Sequence, residues 1–130
     1  PMSLERVLFA FVIVLALTLN VGFVVGDIDN PDHHDSVELF LAIIVSLVAT
    51  VMKFGDRSPL GSTMLATSLV ADVQLLAAAG VWGVAVAQLA PGAELGPKQM
   101  ATIVSFATGA MVANVVSVVL LVIETANQRR

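Results

Sequence analysis

Asp72 is the residue in this chain best placed to do chemistry. It lies within an apolar run at residues 62–90, and an ionisable group inside a stretch long enough to cross a bilayer points first to an ion or proton site. Counted from residue 62 it is ten residues in, ~15 Å deep at about 1.5 Å per residue and so close to a bilayer midplane. Asn114, ten residues before Glu124, and Ser46, eight before Phe54, come to about the same depth on two other apolar runs. Ser68 and Ser117 add hydroxyls one turn from Asp72 and Asn114, and Gln74 stands ~200° around the helix from Asp72 at about 100° per residue. No Lys, Arg or His lies in the interior of any apolar run. Three states satisfy Asp72: a neutral carboxyl donating to Asn114 or Ser46, an ionised one holding a cation or facing water, or one paired with a group on another protein.

The elements that must position these groups are helices. The chain has 130 residues, 58% of them hydrophobic and 12% charged, with a mean hydropathy of +0.95, far from the balance of a soluble domain. Four spans are expected at about residues 5–26, 36–54, 61–90 and 99–126, as one transmembrane domain. Backbone groups in lipid must be satisfied within the segment, and no run shows the alternation of a barrel strand. Breakers punctuate the connections: Asn30-Pro31, Gly55 with Pro59, and Pro91-Gly92 with Gly96-Pro97. The predicted fold is an all-α integral membrane protein, an up-down-up-down four-helix bundle. Arg6, Lys53, Arg57, Arg129 and Arg130 then fall at one end and Lys98 at the other, which predicts cytoplasmic termini in a bacterial inner membrane. The first run, 19 residues at 7–25, is too long for a signal-peptide core and lacks a small-residue cleavage pattern, and Pro1 ahead of Met2 reads as the remnant of a cleaved tag.

The same composition excludes several functions. There is no Cys, hence no disulfide, thiolate metal site or cysteine nucleophile. A net charge of -4 without a basic stripe excludes nucleic acid. The two His are adjacent in one polar loop, no Ser-His-Asp arrangement or nucleotide-binding Gly pattern exists, and no enzyme activity is expected.

Small residues recur every fourth position on the last helix, at Ala101, Ser105, Gly109, Ala113 and Ser117, with a shorter row at Ala79, Gly83 and Ala87. Such rows let helix backbones approach closely, either within one chain or between copies.

Two stretches resemble known families. Residues 50–59, with Thr50, Val51, Gly55, Asp56 and Pro59 in matching places, resemble the pore loop of potassium channels. One residue is extra, the first filter Gly is missing, and Lys53 stands where that likeness implies carbonyl oxygens facing a cation. Residues 26–38 are similar to a calcium-binding EF-hand loop at Asp27, Asp29, Asp35 and Glu38, departing at Pro31 and at Asp32 in place of the turn Gly. With Asp32, His33 and His34 the loop has the residue types to collect a divalent or transition-metal cation; otherwise it is a solvated acidic mouth that concentrates cations.

The function expected from these features is an oligomeric cation or proton pathway, with Asp72 as its mid-membrane carboxyl. The alternative is an accessory or scaffolding subunit of a larger membrane complex. The partners implied are the lipid bilayer, further copies of the chain and a membrane-protein partner. No cofactor is implied beyond a monovalent or divalent cation.

Overall fold

In the computed structural model, which describes residues 3–128, four helices are joined by short connections: α1 (Leu4–Val24), α2 (Ser36–Lys53), α3 (Pro59–Ala87) and α4 (Pro97–Gln128). Pro1, Met2, Arg129 and Arg130, which entered the tag and orientation readings, lie outside the described residues. Each helix is long and apolar enough to cross a membrane.

The helix starts are set by local chemistry. Ser3, Asp35 and Ser58 cap α1, α2 and α3 by accepting the N–H of Arg6, Val37 and Gly61, respectively. Pro59 and Pro97 occupy first-turn positions where a missing N–H costs nothing. Ahead of α4, the Gln99 side chain reaches back to accept the Gly96 N–H at 2.9 Å, as in a capping box. These caps move the start of α3 from the expected residue 61 to Pro59.

Each helix packs on its neighbours in sequence, most extensively α3 on α4, and α4 closes the ring against α1. The directions alternate. Phe23 in the last turn of α1 lies 6.0 Å from Trp82 late in α3 and 5.6 Å from His34 just before α2. At the opposite end Lys53, closing α2, lies 4.6 Å over the Phe9 ring of α1 and 3.5 Å from Glu124 of α4.

The interior is stratified. One apolar cluster, including Phe23, Leu39, Leu75, Met100 and Ile103, fills the end nearer the acidic loop. A smaller one of Phe9, Ile13, Ala49 and Met64 fills the other. Also buried are the polar residues Ser46, Thr50, Ser68, Asp72, Asn114 and Ser117. The outside is apolar as well, with Phe11, Phe40, Val51, Val73 and Val122 exposed.

The Lys53 end is pinned at the α2–α3 turn. Asp56 accepts from the Ser58 hydroxyl at 2.7 Å and the Ser58 N–H at 3.0 Å, and pairs with Lys53 at 3.1 Å. The Ser58 hydroxyl, the Ser58 N–H and Lys53, in that order, lower the Asp56 pKa from 3.8 to about 2. Because the folded state holds this carboxylate more acidic than the unfolded chain does, its contribution is complete above the ordinary value and lost as pH falls through the lowered one. In detergent, the stability difference between the parent and Asp56→Asn is expected to be constant above pH 3.8 and to vanish toward pH about 2; thermal melts across that interval check it.

Candidate functional site

Asp72 projects from the middle of α3 toward α2 and is 6% exposed. Two hydroxyls one turn apart on α2 meet it: Ser46 Oγ donates to Oδ1 at 2.6 Å, and Thr50 Oγ1 lies 2.5 Å from Oδ2. Thr50 Oγ1 is also 3.0 Å from the Ser46 carbonyl oxygen. A hydroxyl has one proton, so with an ionised carboxylate one of these two Thr50 contacts has no proton in it. With a neutral carboxyl every contact is satisfied: Oδ2–H donates to Thr50, Thr50 donates to the Ser46 carbonyl, and Ser46 donates to Oδ1. Among the described residues no Lys, Arg or His pairs with Asp72.

The depth differs from the sequence count. Reckoned along α2 the carboxyl lies between Ser46 and Thr50, seven and three residues before Lys53, or ~5–10 Å from that helix end at about 1.5 Å per residue. α3 has 29 residues against 18 in α2, so counting from its own start overstates the depth measured on its neighbour.

Asn114 is not a partner of Asp72. It faces Asn20 of α1, a residue that the sequence reading passed over and that is fully buried. With its amide oriented so that oxygen meets donors and nitrogen meets an acceptor, Asn20 accepts from Asn114 Nδ2 at 3.0 Å and from the Met111 N–H at 3.1 Å, and donates to the Ala107 carbonyl at 2.9 Å. The amide thus bridges a backbone pair four residues apart on α4, the spacing that a helix ordinarily joins directly. A lone Asn near the end of an apolar run was the available signal.

Ser117 joins Thr67 of α3 across 2.5 Å, while Thr67 also lies 2.8 Å from the Met64 carbonyl. Ser68 is buried one turn from Asp72. Gln74, on another face of α3 from Asp72, lies over Gly109 of α4, where a Cβ would stand 3.0 Å from its amide carbon. The small-residue row is divided: Ala113 and Ser117 are buried, Ala101 and Gly109 half-buried, Ser105 exposed, and on α3 Ala79 is half-buried and Gly83 exposed. Its α4 axis turns from the α3 seam to the surface because 4.0-residue spacing drifts on a 3.6-residue helix. Gly109 and Ala113 floor an outward-opening groove between α3 and α4, walled by Thr63, Val70, Val112 and Val116.

The acidic loop does not converge on a metal. Among the described residues no three His, Asp or Glu come together in a metal-ligating group. Their atoms are engaged locally: His33 Nδ1 accepts the Asp27 N–H at 2.8 Å, Asp35 caps α2, and the Glu38 carboxylate fills the space beside Gly22 of α1. Asp29 and Asp32 are exposed. Gly26, at φ +111°, turns the chain where a Cβ would strike His33. Of the pore-loop-like residues, Thr50 and Val51 are α-helical, Gly55 is in the turn and Asp56 braces the start of α3. The extended, carbonyl-lined backbone of a filter is absent over these residues.

Residues 33–125 match the family described as "Family of unknown function (DUF6394)", and the chain belongs to that family. Ser46, Thr50, Asp72 and Asn114 all fall within the matched region. No curated protein and no solved structure matches the chain.

A neutral Asp72 has a close mimic. In Asp72→Asn the amide oxygen accepts from Ser46 and the amide nitrogen donates to Thr50, so the variant is expected to melt close to the parent. Thr50→Val strands a buried donor and the Ser46 carbonyl at a cost of roughly 1–3 kcal/mol. Thermal unfolding in detergent compares the two; a larger loss for Asp72→Asn than for Thr50→Val contradicts the neutral assignment.

Proposed function

We propose that the protein is a multi-pass protein of the cell inner membrane that takes up and passes protons, with Asp72 as the group that holds them. The observation that carries this reading is the Thr50 hydroxyl placed between two acceptors, Asp72 Oδ2 and the Ser46 carbonyl, an arrangement completed by a proton on the carboxyl. A cation in the same place would need the hydroxyl oxygens turned toward it, with their protons directed elsewhere. Ser46 and Thr50 are suited to relay: a hydroxyl accepts one proton and releases another by rotating about a single bond.

Four spanning-length helices, exposed apolar side chains, and polar groups such as Ser46, Asp72 and Asn114 held inside support insertion in lipid. Arg6, Lys53 and Arg57 at one end of the bundle and Lys98 at the other support an orientation with the amino terminus and the α2–α3 turn in the cytoplasm and the acidic loop outside. In this orientation the Asp72 carboxyl, reckoned along α2, lies nearer the cytoplasmic end of that helix than its outer end.

Proteoliposomes with an internal pH dye test the proposal. Parent protein is expected to conduct protons down an imposed gradient, and Asp72→Asn, which keeps the fold, to fall to the rate of protein-free vesicles. Proton flux unchanged in Asp72→Asn, or sodium or potassium flux in the parent without proton flux, defeats it.

A further inference from the structure

His34 is 4% exposed, and its two ring nitrogens both face backbone carbonyls. Nδ1 lies 2.6 Å from the Phe23 oxygen and Nε2 2.8 Å from the Asp27 oxygen. A carbonyl only accepts, and a neutral imidazole has one N–H and one bare lone pair. Only an imidazolium can donate to both.

The place suits a cation. Phe23 lies in the last turn of α1, where carbonyls lack helical partners and the helix dipole favours positive charge. The Phe23 ring packs on the imidazole. The groups around it that titrate or are charged are, in the loop, His33, whose ring centroid is 6.4 Å away, with Asp27, Asp29, Asp32 and Asp35. Glu38 lies one turn into α2, and Glu94 and Lys98 lie in and after the α3–α4 connection. The titratable or charged residues of α1 and α3 are Glu5, Arg6 and Asp72, none of them in the helix turns that reach this face. The surrounding charge is thus mainly negative.

We infer that His34 is a second proton-binding site, on the acidic-loop face, and that its bound proton latches residues 25–35 onto the end of α1. The charged ring ties the α1 carbonyl to the Asp27 carbonyl and so holds the loop over Phe23. When pH rises and the ring loses a proton, one nitrogen lone pair is left facing a carbonyl oxygen and that tie is lost. The loop is closed in the acid form and released in the neutral one. The inference rests on the His34 geometry alone and stands whether or not Asp72 passes protons.

The test uses the full chain, ¹⁵N-labelled, in nanodiscs. Imidazole nitrogen signals of His34 and His33 are followed as pH is raised from about 5 to 9, alongside amide protection factors for residues 25–35. At the acid end both His34 nitrogens are expected to carry protons, whereas His33 Nδ1, which accepts from Asp27, carries none while the loop is closed. As His34 loses its proton, protection is expected to fall by about tenfold or more, the size expected for losing a hydrogen bond to a charged donor. His34→Gln should show the released protection at every pH, and Asp72→Asn should leave the loop titration unchanged. The inference is overturned if His34 carries one proton while the loop is protected, keeps both to the top of the range, or titrates without change in protection. Parent-like acid protection in His34→Gln overturns it as well.

Discussion

A carboxyl group taken out of water must find a partner for each lone pair and proton it brings with it, and the α2–α3 packing answers to that constraint. Asp72 finds both partners on one face of α2, because Ser46 and Thr50 are four residues apart and so lie one above the other. Moving α3 along α2 by one residue shifts the carboxyl by about 1.5 Å and turns it by about 100°, which removes both contacts together. The register of the two helices is therefore set by a single side chain. Around it the buried neighbours Ala42, Ala49 and Ala71 are small, as close helix approach requires.

The same economy holds around the ring of helices. Lipid tails are as apolar as a leucine side chain, so burying apolar surface gives little drive for helices to associate once they are inserted. In this bundle each seam has a polar link of its own: Asp72 with Ser46 and Thr50 between α2 and α3, Thr67 with Ser117 between α3 and α4, Asn20 with Asn114 between α1 and α4, and His34 tying the start of α2 to the end of α1. Lys53 adds a fifth link, from α2 to Glu124 of α4. The links are spread over the length of the bundle, so no seam can slide independently of the others.

The four helices and their alternation were legible in the sequence, because runs of about 20 apolar residues separated by Pro and Gly have one plain reading. The polar interior was legible in part. Asp72 and Ser46 were paired from depth alone, but depth does not give the azimuth around a helix, and Asn114 at a similar depth faces α1 instead. Thr50 was read within a ten-residue likeness to a channel loop, although its spacing from Ser46 already placed both hydroxyls on one face. Asn20 escaped notice because an isolated carboxamide in a run of Leu and Val carries no charge to mark it. The acidic loop read as a possible cation site from its composition, whereas its ring nitrogens and Asp35 are engaged by backbone groups, partners that a list of residue types does not display.

The two buried amides bear on why a carboxyl stands at position 72. If the only requirement at the α2–α3 seam were to join two helices, a carboxamide would meet it: Asn offers one acceptor and one donor direction in the geometry that a neutral Asp72 uses here. At the α1–α4 seam the chain does use carboxamides, Asn20 and Asn114, and they satisfy one another and the α4 backbone without any dissociable group. A neutral carboxyl in an equivalent setting adds no hydrogen bond to that inventory. What it adds is a proton that can leave, at the cost of exposing a buried negative charge to a setting with no cation in contact. That cost is useful only where the proton does leave, and it is lowest where hydroxyls can turn to donate to the charge that remains, as Ser46 and Thr50 are placed to do.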